Sequence, residues 1–531
     1  MDDGVSVRYI FKFSALRRIV LRRIVLRRLR SGIDSQYRDA AECSPGGLPR
    51  KTNVGITIGV LGGRLNRRTW LRRGLAVGTG TALGAWGINE ASPALFPELP
   101  VWDINRSLWM RCQPPHNPPL TTDLDLEVAV IGGGYTGLSA AYHIRKAAPN
   151  KRVAVLEARG LGNGASGRNG GMLLPNVADE YLHLGSPPDV HKRVYDLTVE
   201  SMKNLVALAA ASGIEGSVEP VGALQTFETQ EEAEHGRAYT ESVRGLGIPV
   251  KYLDRAHTAD LIGTRAYTAS VYDPNAGHVH PIKLVHALKL AAEGAGVKIY
   301  EDSPVLKVEE GPMNRLHMAG GQTVRARSLV LATNAFTSKL GYFRNAMAPV
   351  YNYVAATRPL SNGELASIGW RSRIPFNDSR TLVYYLGLTP DNRIHIGGGS
   401  AAYAWNDGVA RRPDAKAVDL LRKELARLYP TARGIEFEAA WNGMVDMTLD
   451  WEPFVGVTGK QQNVYYGLGY CGHGVNLTFL FGRIIADLEA GREQAWREFP
   501  FVNRKPPYVP NEPFRWIGIQ AETAYYGLVD E

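Results

Sequence analysis

Residues 126–157 read LEVAVIGGGYTGLSAAYHIRKAAPNKRVAVLE, and this stretch leaves the chain very few folds to adopt. Leu126–Ile131 is a short apolar run suited to a buried parallel strand. Gly132, Gly134 and Gly137 follow in G-x-G-x-x-G spacing and open a helix whose apolar positions Leu138, Ala141 and Ile144 fall at helical intervals. Pro149-Asn150 ends that helix, Val153–Leu156 reads as a second strand, and Glu157 stands 20 residues after Gly137. Each part has a physical task. Gly132 turns the chain, Gly134 lets the backbone approach a pyrophosphate, and Gly137 lets helix and strand pack closely. The helix N-terminus favours the phosphate charge, and Glu157 is placed to accept hydrogen bonds from the ribose hydroxyls of an adenosine. A Gly-rich turn in an unrelated α/β unit would not put strand, glycines, helix, strand and acid in register.

Composition narrows the class further. The chain has 531 residues, 44% hydrophobic and 21% charged, which suits a globular protein of three or four domain-sized units. Its net charge of +9 is unevenly spread. Residues 1–73 hold 17 Lys+Arg and 5 Asp+Glu, leaving 44 Lys+Arg against 47 Asp+Glu in the rest. The body is slightly acidic, so the basic balance predicts no nucleic-acid partner. Cys43, Cys112 and Cys471 are too few and scattered for a disulfide framework or a thiolate metal site, and no metal is expected. No apolar run reaches the roughly 18–20 residues of a membrane-spanning helix.

The basic excess lies in two features. Residues 16–30 repeat LRRIV with arginines distributed all round a helix axis, unlike a membrane-surface helix, so residues 1–65 read as a low-complexity basic extension. Residues 66–95 begin Asn66-Arg67-Arg68-Thr69-Trp70-Leu71 and continue into an uncharged Gly/Ala-rich run ending near Ile88. A twin arginine before a short, mildly apolar segment resembles a Tat export signal. The expectation is an exported, periplasmic protein that engages the Tat translocase, anchored if the leader is not cleaved; the alternative is a cytoplasmic enzyme.

Beyond Glu157, Ala158-Arg159-Gly160 runs into Gly164-Ala165-Ser166-Gly167-Arg168-Asn169-Gly170-Gly171. Further on come Asp273-Pro274 with Gly277-His278-Val279-His280-Pro281, and Leu329–Ala335. Trp441-Asn442-Gly443 precedes Thr448-x-Asp450-x-x-Pro453, and Gly469–Val475 leads into a helix through Leu488. Together these resemble the FAD-dependent amine and amino-acid oxidoreductases of the D-amino-acid oxidase/glycine oxidase superfamily, nearest the gamma-glutamylputrescine oxidase-like branch. The resemblance runs from about Val101 to the C-terminus. It implies an α/β fold with a discontinuous Rossmann-like FAD-binding domain and an α+β antiparallel-sheet substrate domain. The expected FAD-binding segments are 101–190, 266–345 and 439–495, the substrate segments 191–265 and 346–438, with a Pro/aromatic tail and helix over 496–531.

The resemblance also implies site residues. FAD contacts are expected from Gly132, Gly134, Gly137, Glu157, Ala158, Arg159, Ala165, Ser166, Arg168, Asn169, Gly170, Val305, Gly443, Gly472, His473, Gly474 and Val475. A second Gly-rich loop after Glu157 suits FAD better than a nicotinamide cofactor. The helix opened by Gly472-His473-Gly474 can stabilise the negative charge of a reduced flavin. Tyr384 and Tyr385 are expected to form an aromatic substrate cage, with His473 and Asn476 also at the reacting end. Arg358 and Arg393 are candidates for a distal carboxylate.

Three departures refine the expectation. Neither the Cys nor the His that relatives use for covalent flavin attachment is present near Thr448 or in Gly162–Gly171, which implies non-covalent FAD. Asn476 stands where sarcosine-type enzymes hold a carboxylate-binding Lys, which disfavours substrates with a carboxylate beside the reacting amine. No Lys occurs in 381–388 or 393–405 to promote reaction with oxygen, so the electron acceptor stays open between oxygen and another oxidant. The implied reaction is oxidation of a C–N bond in a small amine or amino-acid-like substrate. Hydride passes to flavin N5, and the imine hydrolyses. The alternatives are a flavin hydroxylase using NAD(P)H and a catalytically silent flavin-binding protein.

Overall fold

The structure, a computed structural model, describes residues 106–175, 188–408 and 413–530. The arginine repeat and the twin-arginine segment lie outside the described residues. Five parallel strands form the centre of the first sheet, in the spatial order Lys298–Tyr300, Val153–Leu156, Leu124–Ile131, Thr323–Leu331, Val464–Leu468. Val128, Ala129 and Val130 of the fingerprint strand are wholly buried, as a central parallel strand covered on both faces requires. Asn314–Met318 pairs antiparallel with the first half of Thr323–Leu331, on the same edge where Val464–Leu468 takes its second half. Val305–Glu309 pairs with Asn314–Met318 in turn, and Phe454–Thr458 pairs antiparallel with Val464–Leu468.

The helices Tyr135–Ala147, Pro281–Gly294 and Gly474–Glu489 pack on this sheet and share one core with it. The first and last are so close that a Cβ on Gly482 would lie 2.1 Å from Ser139 Oγ. Among the described residues, no helix is long and apolar enough to cross a membrane.

The second sheet has eight strands in the order Phe437–Met447, Ala348–Thr357, Ile394–Gly398, Tyr384–Leu388, Phe376–Asp378, Ala223–Phe227, Ala269–Asp273, Lys251–Asp254. All neighbours run antiparallel except Phe376–Asp378 beside Ala223–Phe227. Side chains alternate between its two faces. Val354, Ala356 and Trp441 join the core of the first sheet. Tyr351, Tyr353, Ala355, Ile394 and Ile396 instead meet Leu421 and Leu425 of the helix Ala415–Leu428 in a separate core.

Several elements cross the expected domain boundaries. Segment 191–265 is mostly helical, with helices Pro188–Ala211, Gln230–Gly245 and Arg255–Ile262. The local cause is legible afterwards: Thr229 and Glu232 form a capping box, and Asp254 accepts from the His257 N–H. Ala269–Asp273 and the whole of Phe437–Met447 belong to the second sheet, because each pairs along its length with a strand of that sheet.

Candidate cofactor and active site

At the head of the fingerprint, Gly132 adopts φ +105°, and a Cβ there would sit 2.4 Å from the Ala332 carbonyl oxygen. A Cβ on Gly137 would lie 1.9 Å from the Gly132 oxygen, which is the close helix–strand approach that spacing predicts. The helix starts at Tyr135, directly after Gly134, and the Tyr135 N–H donates to Ser166 Oγ at 2.9 Å. Ser166 therefore ties the second Gly-rich loop to the first.

Glu157 lies at the end of its strand with Oε2 accepting from the Gly133 N–H (2.6 Å) and Oε1 from the Arg159 N–H (3.0 Å). A carboxylate has about four acceptor positions, so lone pairs remain for ribose hydroxyls. Burial raises its pKa, and the neighbouring Glu301 adds to the effect. Glu301 was not anticipated: it is buried and accepts from the Leu161 and Asn117 N–H groups. Ala158 continues the turn after Glu157, and Val305 opens the strand that follows the Ser303 N–H bond to the Glu157 carbonyl.

The loop Ala165–Gly171 starts as a short 3-10 turn. Asn169 holds it together, its amide donating to the Ala165 and Ser166 carbonyls and accepting from the Gly171 N–H. Four consecutive carbonyls of this loop receive donors from outside it. Ser107 Oγ donates to Gly167, Trp441 Nε1 to Arg168 (2.8 Å), Trp109 Nε1 to Asn169 (2.9 Å) and His395 Nε2 to Gly170 (2.8 Å). Trp109 meets His280, His395 and Trp441 edge-on, with ring centroids 5.3–5.9 Å apart. Burial lowers the pKa of His280 and His395 to about 4, so both rings are neutral at ordinary pH. Arg168 is buried beside Gly443, donates to the Asn163 and Asn442 carbonyls, and is lowered to about 10 by desolvation.

The second glycine cluster sits at the start of the helix Gly474–Glu489, with His473 at the N-cap position and Val475 buried in the first turn. Gly472 has φ +89°, and nothing lies within 4 Å of where its Cβ would be; Gly164 is equally open. The preceding loop is held by Asp446, a residue not anticipated. Its carboxylate is buried and accepts from the Gly469 and Tyr470 N–H groups, and burial pushes it up to about 7.

The two tyrosines part company. Tyr385 lies against the Gly loop: a Cβ on Gly170 would be 2.2 Å from its Cε2, and its hydroxyl donates to Asn352 Oδ1 at 3.1 Å. Tyr384, one residue earlier and so on the opposite face, is buried in the second core under the Arg380 guanidinium, 4.3 Å from the ring centre. It is a core residue there rather than half of a cage. Asn476 is fully buried; its amide N–H donates to the Thr198 carbonyl (2.9 Å) and reaches toward Leu174, which ties two helices together, while its Oδ1 has no hydrogen-bond partner among the described residues. Arg358 pairs with Glu364, and Arg393 with Asp391 and Glu438, so the protein itself neutralises both.

Glu228, Asp378 and Glu424 bring carboxylate oxygens within 4.8 Å of one another. Arg380 and Arg427 sit among them, which makes the group an ion-pair network. An open cavity of about 800 Å³ lies on the helical face, lined by Tyr142, His143, Phe479 and Arg483, and carries none of the anticipated cofactor contacts.

The glycine approaches at 132 and 137, a buried acid with spare lone pairs, and open space above Gly164 and Gly472 all fit FAD. The fold and site define a flavin-dependent oxidoreductase. The family described as DAO, FAD dependent oxidoreductase, matches residues 127–488, and the chain belongs to it. It is 29% identical over 425 residues to "Probable oxidoreductase OrdL" of Haemophilus influenzae, covering 78% of this chain and 94% of that one. It is 29% identical to the gamma-glutamylputrescine oxidoreductase of Escherichia coli, covering 77% and 94%. The crystal structure of glycine oxidase from Geobacillus kaustophilus superposes with a TM-score of 0.62 at 25% identity, covering 72% of this chain and 99% of that chain.

Proposed function

We propose that this enzyme oxidises a C–N bond in a small amine whose reacting carbon bears no carboxylate. The observation that carries the reading is Asn476. The position that resembles a carboxylate-binding Lys in sarcosine-type enzymes is a neutral amide, and its N–H is spent on the Thr198 carbonyl. Of the activities for which the relatives above are named, an amine of the gamma-glutamylputrescine type suits such a position better than glycine.

FAD, when bound, supplies the acceptor for the hydride that leaves the substrate carbon. The chain's own residues position and tune. Gly132, Gly134 and the start of the helix Tyr135–Ala147 receive the pyrophosphate, and Glu157 the ribose. Gly472–Gly474 bring the positive end of a helix to the flavin end of the site. Tyr385, held by Asn352 and kept protonated by burial, presents its ring beside Gly170 as a wall for the amine. Loss of hydride from carbon and a proton from nitrogen leaves an imine, which water hydrolyses to a carbonyl compound and the freed amine.

The test is stopped-flow, anaerobic bleaching of the bound flavin with a panel of mono-acylated diamines, simple amines, sarcosine and glycine. Faster bleaching by amines without the adjacent carboxylate supports the reading; faster bleaching by glycine or sarcosine refutes it. We further propose an electron acceptor other than oxygen, which predicts slow reoxidation in air and fast reoxidation by an artificial dye. The leader supports export by the Tat route, a route that carries proteins already folded around their cofactor. Arg67→Lys with Arg68→Lys should then strand yellow, folded protein in the cytoplasm, and unchanged export of that double variant would overturn this.

A further inference from the structure

We propose that Trp109, on a segment N-terminal to the matched family region, is a positioning residue for FAD. The matched region starts at residue 127, and the segment before it is bonded both to the Ala165–Gly171 loop and to Glu301 and Ser303 near Glu157. At the flavin end, Ser107 Oγ and Trp109 Nε1 donate to the Gly167 and Asn169 carbonyls. At the adenosine end, the Asn117 N–H donates to Glu301, the buried neighbour of Glu157, and the Leu120 N–H donates to Ser303 Oγ at 2.9 Å. Lys289 Nζ donates to the Pro115 carbonyl between them.

The direction of the Trp109 bond gives it a role beyond packing. Across a planar trans peptide the N–H points opposite to the carbonyl. Drawing the Asn169 carbonyl toward the indole therefore aims the Gly170 N–H away from it, and Gly170 is the residue that Tyr385 touches. Trp441 and His395 hold the carbonyls on either side in the same way. The negative ends of three successive peptide dipoles are thus turned onto neutral ring N–H groups. Trp109 is the only one of the three donors that comes from outside the two sheets. A ring with no N–H would leave the part-buried Asn169 carbonyl without that partner, and the turn would swing to recover one.

The experiment uses the holoenzyme and no substrate. Trp109→Phe keeps an aromatic ring and removes the donor. Release of FAD on dilution, followed by the recovery of flavin fluorescence well below the melting temperature, should speed up about tenfold, the size of one lost hydrogen bond. The vibronic shoulders of the bound-flavin spectrum should blur at the same time. Ser107→Ala should give a smaller change in the same direction. A merely structural tryptophan predicts a different outcome: a lower melting temperature with the release rate and spectrum unchanged. Release within twofold of wild type for Trp109→Phe overturns the proposal.

Discussion

The Tyr385 ring fills the space that a side chain on Gly170 would occupy, its Cε2 2.2 Å from an ideal Cβ. With the His395 and Trp441 bonds to the Gly170 and Arg168 carbonyls, this contact joins the second sheet to the cofactor loop, and it requires a glycine. Gly170→Ala must push the ring aside or shift the loop, a form of overpacking that costs about 1–3 kcal/mol. The purified variant should carry less FAD per chain and melt several degrees lower. Combining it with Tyr385→Ala should restore part of both, since the two residues act through one contact. Full FAD content and an unchanged melting temperature in Gly170→Ala would show that the contact is slack.

Glu157 should control both the strength and the pH dependence of FAD binding. Glu157→Ala removes acceptors for the ribose and for the Gly133 N–H, and affinity should fall at least about tenfold, measured by flavin fluorescence on titration. Because burial and Glu301 raise its pKa, Glu157 gains a proton at a higher pH than an ordinary glutamate. FAD should therefore begin to dissociate on mild acidification, and Glu301→Gln should move that onset to lower pH.

Acid or heat precipitation should leave the flavin in the supernatant. Cys471 is the cysteine nearest the Gly472–Gly474 cluster, and its thiol is turned onto Thr448 and the Gly469 carbonyl in a buried position. A yellow pellet after washing would show a covalent bond.

Asp446 predicts a stability that declines with rising pH. Burial lifts its pKa to about 7 in the folded chain, above the 3.8 of a free aspartate. Between those values the native state binds a proton that the unfolded state has released, so stability falls as pH rises through that window. The carboxylate is charged above about 7 in both states, and the decline stops there. Asp446→Asn keeps an acceptor oxygen for only one of the Gly469 and Tyr470 N–H groups and sets its NH2 against the other, so it should lower stability overall while flattening this part of the profile. Melting temperatures recorded from about pH 5 to about pH 8 compare the two; parallel curves would mean Asp446 does not titrate there.

The cofactor half of the molecule was legible because its signals are local. Strand, glycines, helix and acid lie within about thirty residues, and the strand Leu124–Ile131 and helix Tyr135–Ala147 form where the pattern puts them. Tyr384 and Tyr385 show where legibility stops. Alternation says that neighbours in a strand face opposite ways, but only the partner on each side says which one meets the cofactor loop. Asn476 looked available because its acceptor, the Thr198 carbonyl, is 278 residues away. Asp446 and Trp109 carry no motif at all. Their roles arise from backbone groups brought to them by the fold, as does the role of Glu301 beside Glu157.

Ser139 and Gly482 touch so closely that a methyl group would not fit between them, yet the ribosome makes them 343 residues apart. The nascent chain therefore exposes the fingerprint strand and helix long before the element that completes their core exists. Contacts of such separation form slowly, and the unfinished unit leaves apolar helix surface uncovered meanwhile. FAD meets a finished cradle only after Gly474–Glu489 has emerged, so fragments truncated before that helix would leave the translation machinery colourless and prone to aggregate, and their fate falls to chaperones and proteases.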